Sequence, residues 1–288
     1  MVDRPDLQQA AGLPDSRRQS HFMRAPLTAK GLTLKFVISF LLLAGLSLDL
    51  CNTARAVEVG RFSPLKLDGL LVKWGSGQLG TPAHVTYAFA NGPLARKNSR
   101  NCRSMDSLDR LARLSGLSPA AIRKEAAAAF RLWEDASGVS FKEAASVGEA
   151  DIVVGAQSLP RGYAFTSVQY AKPLPRRPDR TLGADRGLNR PGLETARKKG
   201  HAGAPDIAEI TRSAVCLNPA HKWKIGFDGD LKSYDLRYTF AHEIGHAIGL
   251  DHYLRGRSIM HFKYRETFRA LQPGDIAGAR WLYGPDGS

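Results

Sequence analysis

Residues 242–252 read His-Glu-Ile-Gly-His-Ala-Ile-Gly-Leu-Asp-His, and this stretch restricts the fold more than any other part of the chain. His242 and His246 stand four apart. On a helix of about 3.6 residues per turn that spacing stacks both rings on one face, so both imidazoles can reach one metal ion. Glu243, one position on, projects to the side, where it can touch a water at the metal without occupying the metal. Gly249 is where the helix should end, because glycine tolerates the left-handed backbone that turns a chain sharply. That turn can bring His252 back as a third ligand. Three neutral imidazoles leave a tetrahedral zinc one open position, the arrangement of catalytic rather than closed structural sites. The pattern points to hydrolysis, with Glu243 as general base and then general acid and zinc as Lewis acid. A bare His-Glu-x-x-His arises by chance in many helices; the extension through Gly249 to His252 gives the match its meaning.

The extended motif resembles the metzincin signature, which a methionine turn should follow. Ser258-Ile259-Met260 supplies it, eight residues after His252. Gly249-Leu250-Asp251-His252 is most similar, within the metzincins, to the matrixins. The resemblance implies that His242, His246 and His252 bind one catalytic Zn2+, that Glu243 is the acid/base, and that Met260 lies beneath the metal as a hydrophobic base. Phe262 stands where other metzincins carry a ligating tyrosine, and it cannot ligate. Tyr264 falls where matrixins have the tyrosine of a Pro-x-Tyr segment lining the primary specificity pocket, with Phe262 in place of the proline.

Further echoes are Trp74 followed by Thr86-Tyr87, Ala150-Asp151-Ile152, and the closing Pro273–Gly284 segment. The resemblance therefore runs over roughly residues 70–284, apart from a basic insertion at 171–206. It implies an α/β, metzincin-like architecture: a twisted five-stranded mixed sheet with three helices, and a zinc cleft along the edge strand, where substrate would be gripped as an added strand. Asp228 and Asp230 offer a weak Ca2+ site at most. A structural zinc is not expected, since Gly226 and Leu231 replace the family's ligands there. The context of Cys102 does not match the propeptide cysteine that caps the zinc in many matrixins.

The residues support a helix-covered sheet independently. Leu71–Trp74 and His84–Ala90 read as the first strands, the second ending at the turn signal Asn91-Gly92-Pro93. Asn98–Ser115 reads as a polar surface excursion. Ser118-Pro119 starts a helix, with serine at the N-cap and proline at the first helical position, and Ile122, Ala126, Phe130 and Trp133 recur at helical spacing. Val139–Phe141, Ala150–Val154 and Gly162–Tyr170 read as strands, and Asp235 as the N-cap of the motif helix. Strand, long helix and further strands fit a parallel sheet covered by helices.

Residues 1–56 form a leader. Phe36–Leu48 is a continuous apolar run of 13 residues, short of the roughly 20 that cross a membrane. Basic residues precede it, and Ala54-Arg55-Ala56 has the small-x-small form of a signal peptidase site. Cleavage is expected after Ala56, releasing a single catalytic domain at 57–288 to a secreted or periplasmic location; the alternative is an uncleaved anchor at 36–48. In such a compartment Cys102 and Cys216 either pair or stay separate buried thiols.

The net charge of +14 is unevenly spread: residues 171–206 hold nine basic against four acidic residues amid prolines and glycines. Such a stretch is either a solvated insertion or a patch for an anionic envelope surface or acidic substrate. It lacks interleaved aromatics, so nucleic acid is not an expected partner. The expected function is an exported, monomeric zinc-dependent endopeptidase acting on a peptide or protein substrate. The alternative is a basic envelope-associated binding protein on a vestigial protease scaffold.

Overall fold

A computed structural model describes residues 62–158, 162–171 and 206–287; the leader and nearly all of the basic insertion lie outside these residues. The strands in chain order are β1 (Ser63–Pro64), β2 (Lys66–Leu67), β3 (Leu70–Lys73), β4 (Ala83–Phe89), β5 (Leu94–Ala95), β6 (Ser104–Met105), β7 (Val139–Glu143), β8 (Ile152–Ala156), β9 (Ala164–Tyr170), β10 (Ile207–Leu217), β11 (Lys222–Lys224), β12 (Ser233–Asp235) and β13 (Leu250–Asp251). The helices are α1 (Asp109–Ser115), α2 (Pro119–Glu134), α3 (Leu236–Ala247) and α4 (Pro273–Tyr283).

The sheet is built on five main strands in the order β7-β4-β8-β10-β9. The first four run parallel, and β9 closes the edge antiparallel to β10. Two short strands extend it: β3 runs parallel to the first residues of β10, and β2 pairs antiparallel with β3.

Strand β8 is buried along its whole length, as a parallel strand covered on both faces must be. Its side chains divide with the two-residue period of a strand. Ile152 and Val154 join the main core, with Val85, Tyr87 and Phe89 of β4 and the apolar face of α2. Val153 faces the other way, into a smaller cluster with Ala88, Ala214, Met105, Cys102 and Cys216. The sulfurs of Cys102 and Cys216 are bonded, tying the loop before β6 to the central strand β10.

Helix α2 begins as its sequence dictates, with the Ser118 hydroxyl accepting from Ala121 N at 3.1 Å and Pro119 at the first position. It packs on α3, where the Trp133 indole donates to Ala241 O at 2.9 Å. Between these two helices Glu125 accepts from both Arg237 and Arg269, and Arg269 also reaches Asp235.

Among the described residues four helices stand where three were expected. The addition is α1, inside the stretch read as a surface excursion. Three of its seven residues are charged, yet Leu111 and Ala112, with Leu108 just before the helix, are buried in the main core. So short an element shows too few apolar repeats for its period to be read against the surrounding charge. No helix among the described residues is long and apolar enough to cross a membrane.

Candidate metal centre

Helix α3 carries the motif, and its ends explain its position. At the N-terminus the wholly buried Asp235 accepts from Tyr238 N at 2.8 Å as the cap, and also from Gly226 N and Arg269. At the C-terminus three carbonyls lack helical partners, as at any helix end. Each is satisfied by a distant part of the chain. The Trp74 indole donates to Ala247 O at 2.8 Å, the Tyr283 hydroxyl to Ile248 O at 2.6 Å, and Leu65 N to Gly249 O at 2.8 Å. Gly249 follows with φ of +100°, and a Cβ there would collide with the carbonyl of Val72. The turn is thus required by both conformation and space. It leads into β13, which β1 pins antiparallel through Ser63 and Pro64, and so to His252.

The three histidines converge. Their ligand atoms lie within 4.8 Å of one another. His252 Nε2 is 3.2 Å from His246 Nε2 and 3.3 Å from His242 Nε2. The other ring nitrogens fix the tautomers. His242 Nδ1 faces Ile259 O at 2.7 Å and His246 Nδ1 faces Leu250 O at 2.8 Å. A carbonyl only accepts, so both Nδ1 atoms carry the proton and both Nε2 atoms present lone pairs. Burial, followed by the neighbouring imidazoles, holds His242 well below the ordinary histidine value and pushes His246 down to about 4; burial also lowers His252. All three are therefore neutral near pH 7. With His252 also presenting an Nε2 lone pair, the three lone pairs would face one another and repel unless a cation lay between them. Tetrahedral zinc with Zn–N bonds of about 2.0–2.1 Å needs ligand nitrogens roughly 3.3 Å apart, which is the spacing found between His252 and each of the other two. The donor set fits zinc.

Glu243 is buried beside this cluster, and burial raises its carboxyl to about 7. The Thr166 hydroxyl on β9 opposes that shift, lying 2.7 Å from Glu243 Oε2 and 2.9 Å from Glu243 O. The cleft in front is a cavity of about 540 Å³ lined by Glu243, His246 and His252, by β9, by Leu65–Asp68 on one side and by the loop bearing Asn98 and Arg100 on another.

Met260 is buried against α3. A Cβ on Gly245 would collide with the Met260 sulfur and the Trp133 ring, so Gly245 is what lets the methionine and α3 approach so closely. The turn around Met260 is held by Asp275 of α4. That buried carboxylate accepts from the Ser258 hydroxyl at 2.5 Å and from Ile259 N at 2.9 Å. Ile259 O is in turn the partner of His242.

Tyr264 is not among the residues lining the cleft cavity. Its hydroxyl donates to Glu266 at 2.8 Å and accepts from Asp235 N at 2.8 Å, and its ring meets Tyr234 and Tyr238 edge-on. Asp228 pairs with the Lys224 ammonium, which also contacts Glu266, while the Asp230 carboxylate accepts from Lys232 N and Ser233.

Sequence reasoning missed Thr166 and Asp275 in these roles. Asp275 stands in the first turn of α4 and accepts from Gln272 N at 2.8 Å; its second use, holding the methionine turn, has no local signature. Thr166 has none either, since β9 and α3 are far apart in the chain.

A three-histidine helix-and-turn site over a methionine turn, bordered by an antiparallel edge strand, defines a metzincin-type metal centre. Residues 193–284 match the Matrixin family. The chain is similar to matrix metalloproteinase-23 from Bos taurus, at 32% identity over 170 residues that make up 58% of this chain and 38% of the relative. Matrix metalloproteinase-23 from Homo sapiens matches at 32% over 173 residues with the same shares. Matrix metalloproteinase-B from Caenorhabditis elegans matches at 28% over 177 residues, 56% of this chain and 31% of the relative. The chain thus spans less than two-fifths of the length of these relatives. It carries a matrixin-type domain, in agreement with the resemblance of its motifs. Matrixins as a family are zinc-dependent endopeptidases.

Proposed function

We propose that this domain hydrolyses peptide bonds as a zinc-dependent endopeptidase. The observation that carries the reading is the convergence of three imidazole nitrogens, His252 Nε2 at zinc-ligand spacing from both others, beside a buried carboxyl on the helix of His242 and His246. Zinc, when bound, supplies a Lewis acid that acidifies a water and polarises a carbonyl. His242, His246 and His252 would hold it through Nε2. Glu243, with its carboxyl near 7, can take a proton and return it near neutral pH. Thr166 engages Oε2, which leaves Oε1 to receive that proton. The outer edge of β9 pairs with no other described strand, and apart from Thr166 O, which accepts from Asn101, it offers an edge on which an extended peptide can add. Met260 gives the site its apolar floor; Tyr264, outside the cleft cavity, is assigned to the primary specificity pocket on the motif resemblance alone. Ca2+ at Asp228 and Asp230 would share those carboxylates' surroundings with Lys224.

We place the protein outside the cytoplasm, with the leader cleaved after Ala56. The Phe36–Leu48 run and the Ala54-Arg55-Ala56 site support this, as does a disulfide that suits an oxidising compartment. Mass spectrometry of the exported chain tests it: a retained 36–48 peptide would favour the anchor.

The decisive experiment is cleavage of a denatured protein by the purified chain and by Glu243→Ala, with zinc content measured for both. Loss of general acid–base catalysis should lower the rate by about 10²–10⁴-fold, with about one zinc per chain retained by the three histidines. Chelation should abolish wild-type cleavage, and added zinc should restore it. Zinc bound without cleavage in either protein would favour the binding-protein alternative. No zinc in either would sink the metal reading.

A further inference from the structure

A second cavity, of about 750 Å³, is lined by Arg100, Arg103, Arg110 and Arg113 and shares Arg100 with the zinc cleft. It reaches past the ends of β8 and β10, to Gln157 and Pro219. All four arginines are exposed, and none forms an ion pair with a described residue. Two carboxylates also line the cavity, Asp106 and Asp109. Both are engaged locally: Ser107 N donates to Asp106 at 2.7 Å and the Ser107 hydroxyl to Asp109 at 2.9 Å. Four guanidiniums against two occupied carboxylates leave the cavity positive.

The platform is held in place. Arg110 and Arg113 stand three apart on α1, hence on neighbouring parts of one helix face. Arg100 and Arg103 flank Cys102, whose bond to Cys216 anchors the loop to β10. Asn101 Nδ2 donates to Thr166 O at 3.1 Å and Ser104 N to the Gln157 side chain at 3.0 Å. Guanidiniums on fixed backbone lose less freedom on binding, and their planar forks match carboxylates in paired hydrogen bonds. No aromatic ring is among the described lining residues, whereas single-stranded nucleic acid is usually held by stacking on such rings. Arg100 lines both this cavity and the cleft where polypeptide is proposed to lie.

We propose that this arginine-lined cavity is an exosite for an acidic segment of the protein substrate, a cluster of Asp or Glu flanking the residues held in the cleft. The proposal rests on the peptidase reading above. It is tested by binding on the full-length Glu243→Gln protein, using a fluorescein-labelled peptide with a hexaglutamate tail beside the same peptide with a hexaglutamine tail. In low salt the glutamate tail should bind about tenfold more tightly. Adding Arg110→Gln and Arg113→Gln should abolish that preference, as should about 0.5 M salt through screening. The same two substitutions in the otherwise wild-type chain should leave cleavage of a short untailed peptide unchanged. Equal binding of the two tails, or a preference that survives the arginine substitutions, overturns the exosite. Heparin binding through Arg110 and Arg113 without any gain from the glutamate tail assigns the cavity to a sulfated polysaccharide and overturns it equally. Because binding is read on the inactive variant, failure of the wild type to cleave bears on the peptidase reading alone.

Discussion

Thr166 and Glu243 meet through one hydroxyl hydrogen, which lies within reach of both the carboxylate and the backbone carbonyl of Glu243. That contact holds the proposed acid/base in one rotamer and favours its ionised form against the effect of burial. A hydrogen bond to a charged group is worth about 1.5–3 kcal/mol. Thr166→Val should therefore lower kcat by roughly 10–100-fold with zinc content unchanged; an unaltered kcat would remove Thr166 from the proposed machinery. Gly245 poses a different residue-scale demand. Its missing Cβ is space used by the Met260 sulfur and the Trp133 ring. Gly245→Ala should destabilise the fold by about 1–3 kcal/mol through overpacking, read as a lower urea midpoint.

Helix α3 shows how an element becomes a site. Its own sequence supplies the cap and the histidine spacing, but its C-terminal carbonyls are claimed by Trp74 just after β3, by α4 through Tyr283 and by the N-terminal segment through Leu65. The element beside it, β3, carries a wholly buried lysine, Lys73, whose ammonium donates to Trp74 O, Ser76 O and Thr81. Burial pushes this lysine down to about 8, with Glu209 acting in the opposite direction. Between about pH 8 and the ordinary lysine value the unfolded chain binds more protons at this residue than the folded chain does. The unfolding free energy contributed by Lys73 therefore rises with pH across that window and is lowest below it. Lys73→Met should flatten this rise, as measured by urea unfolding at about pH 7.5 and about pH 9.5. Parallel curves for the two proteins would contradict the assignment.

At the scale of the molecule, the Cys102–Cys216 bond joins residues 114 apart in sequence and holds the outer loop to the central strand. Cross-links over long loops stabilise chiefly by restricting the unfolded chain. Replacing both cysteines by serine should cost about 2–5 kcal/mol, measured by chemical denaturation. The same change should weaken glutamate-tail binding at the arginine cavity more than it weakens zinc binding, because the cavity's loop depends on that bond while the histidines sit on α3 and its turn. The two sites thus share a boundary at Arg100 but differ in what supports them.

The eleven residues from His242 to His252 determined the helix, its end at Gly249 and the three converging imidazoles, because helical period and glycine conformation are local properties. The strands at 84–90 and 150–154, the long helix from Pro119 and the cap at Asp235 were legible for the same reason. Only the tertiary structure decided the rest. Helix α1 owes its existence to burial of Leu108 and Leu111 rather than to a visible period. The grip of Thr166 on Glu243 spans 77 residues, and the chain from Asp275 through Ile259 to His242 joins α4 to the metal centre. The four arginines gather because a disulfide and a short helix bring two charged stretches to one cavity. Contacts between residues far apart in the chain leave no period or spacing to read; they exist only once the sheet has ordered its strands.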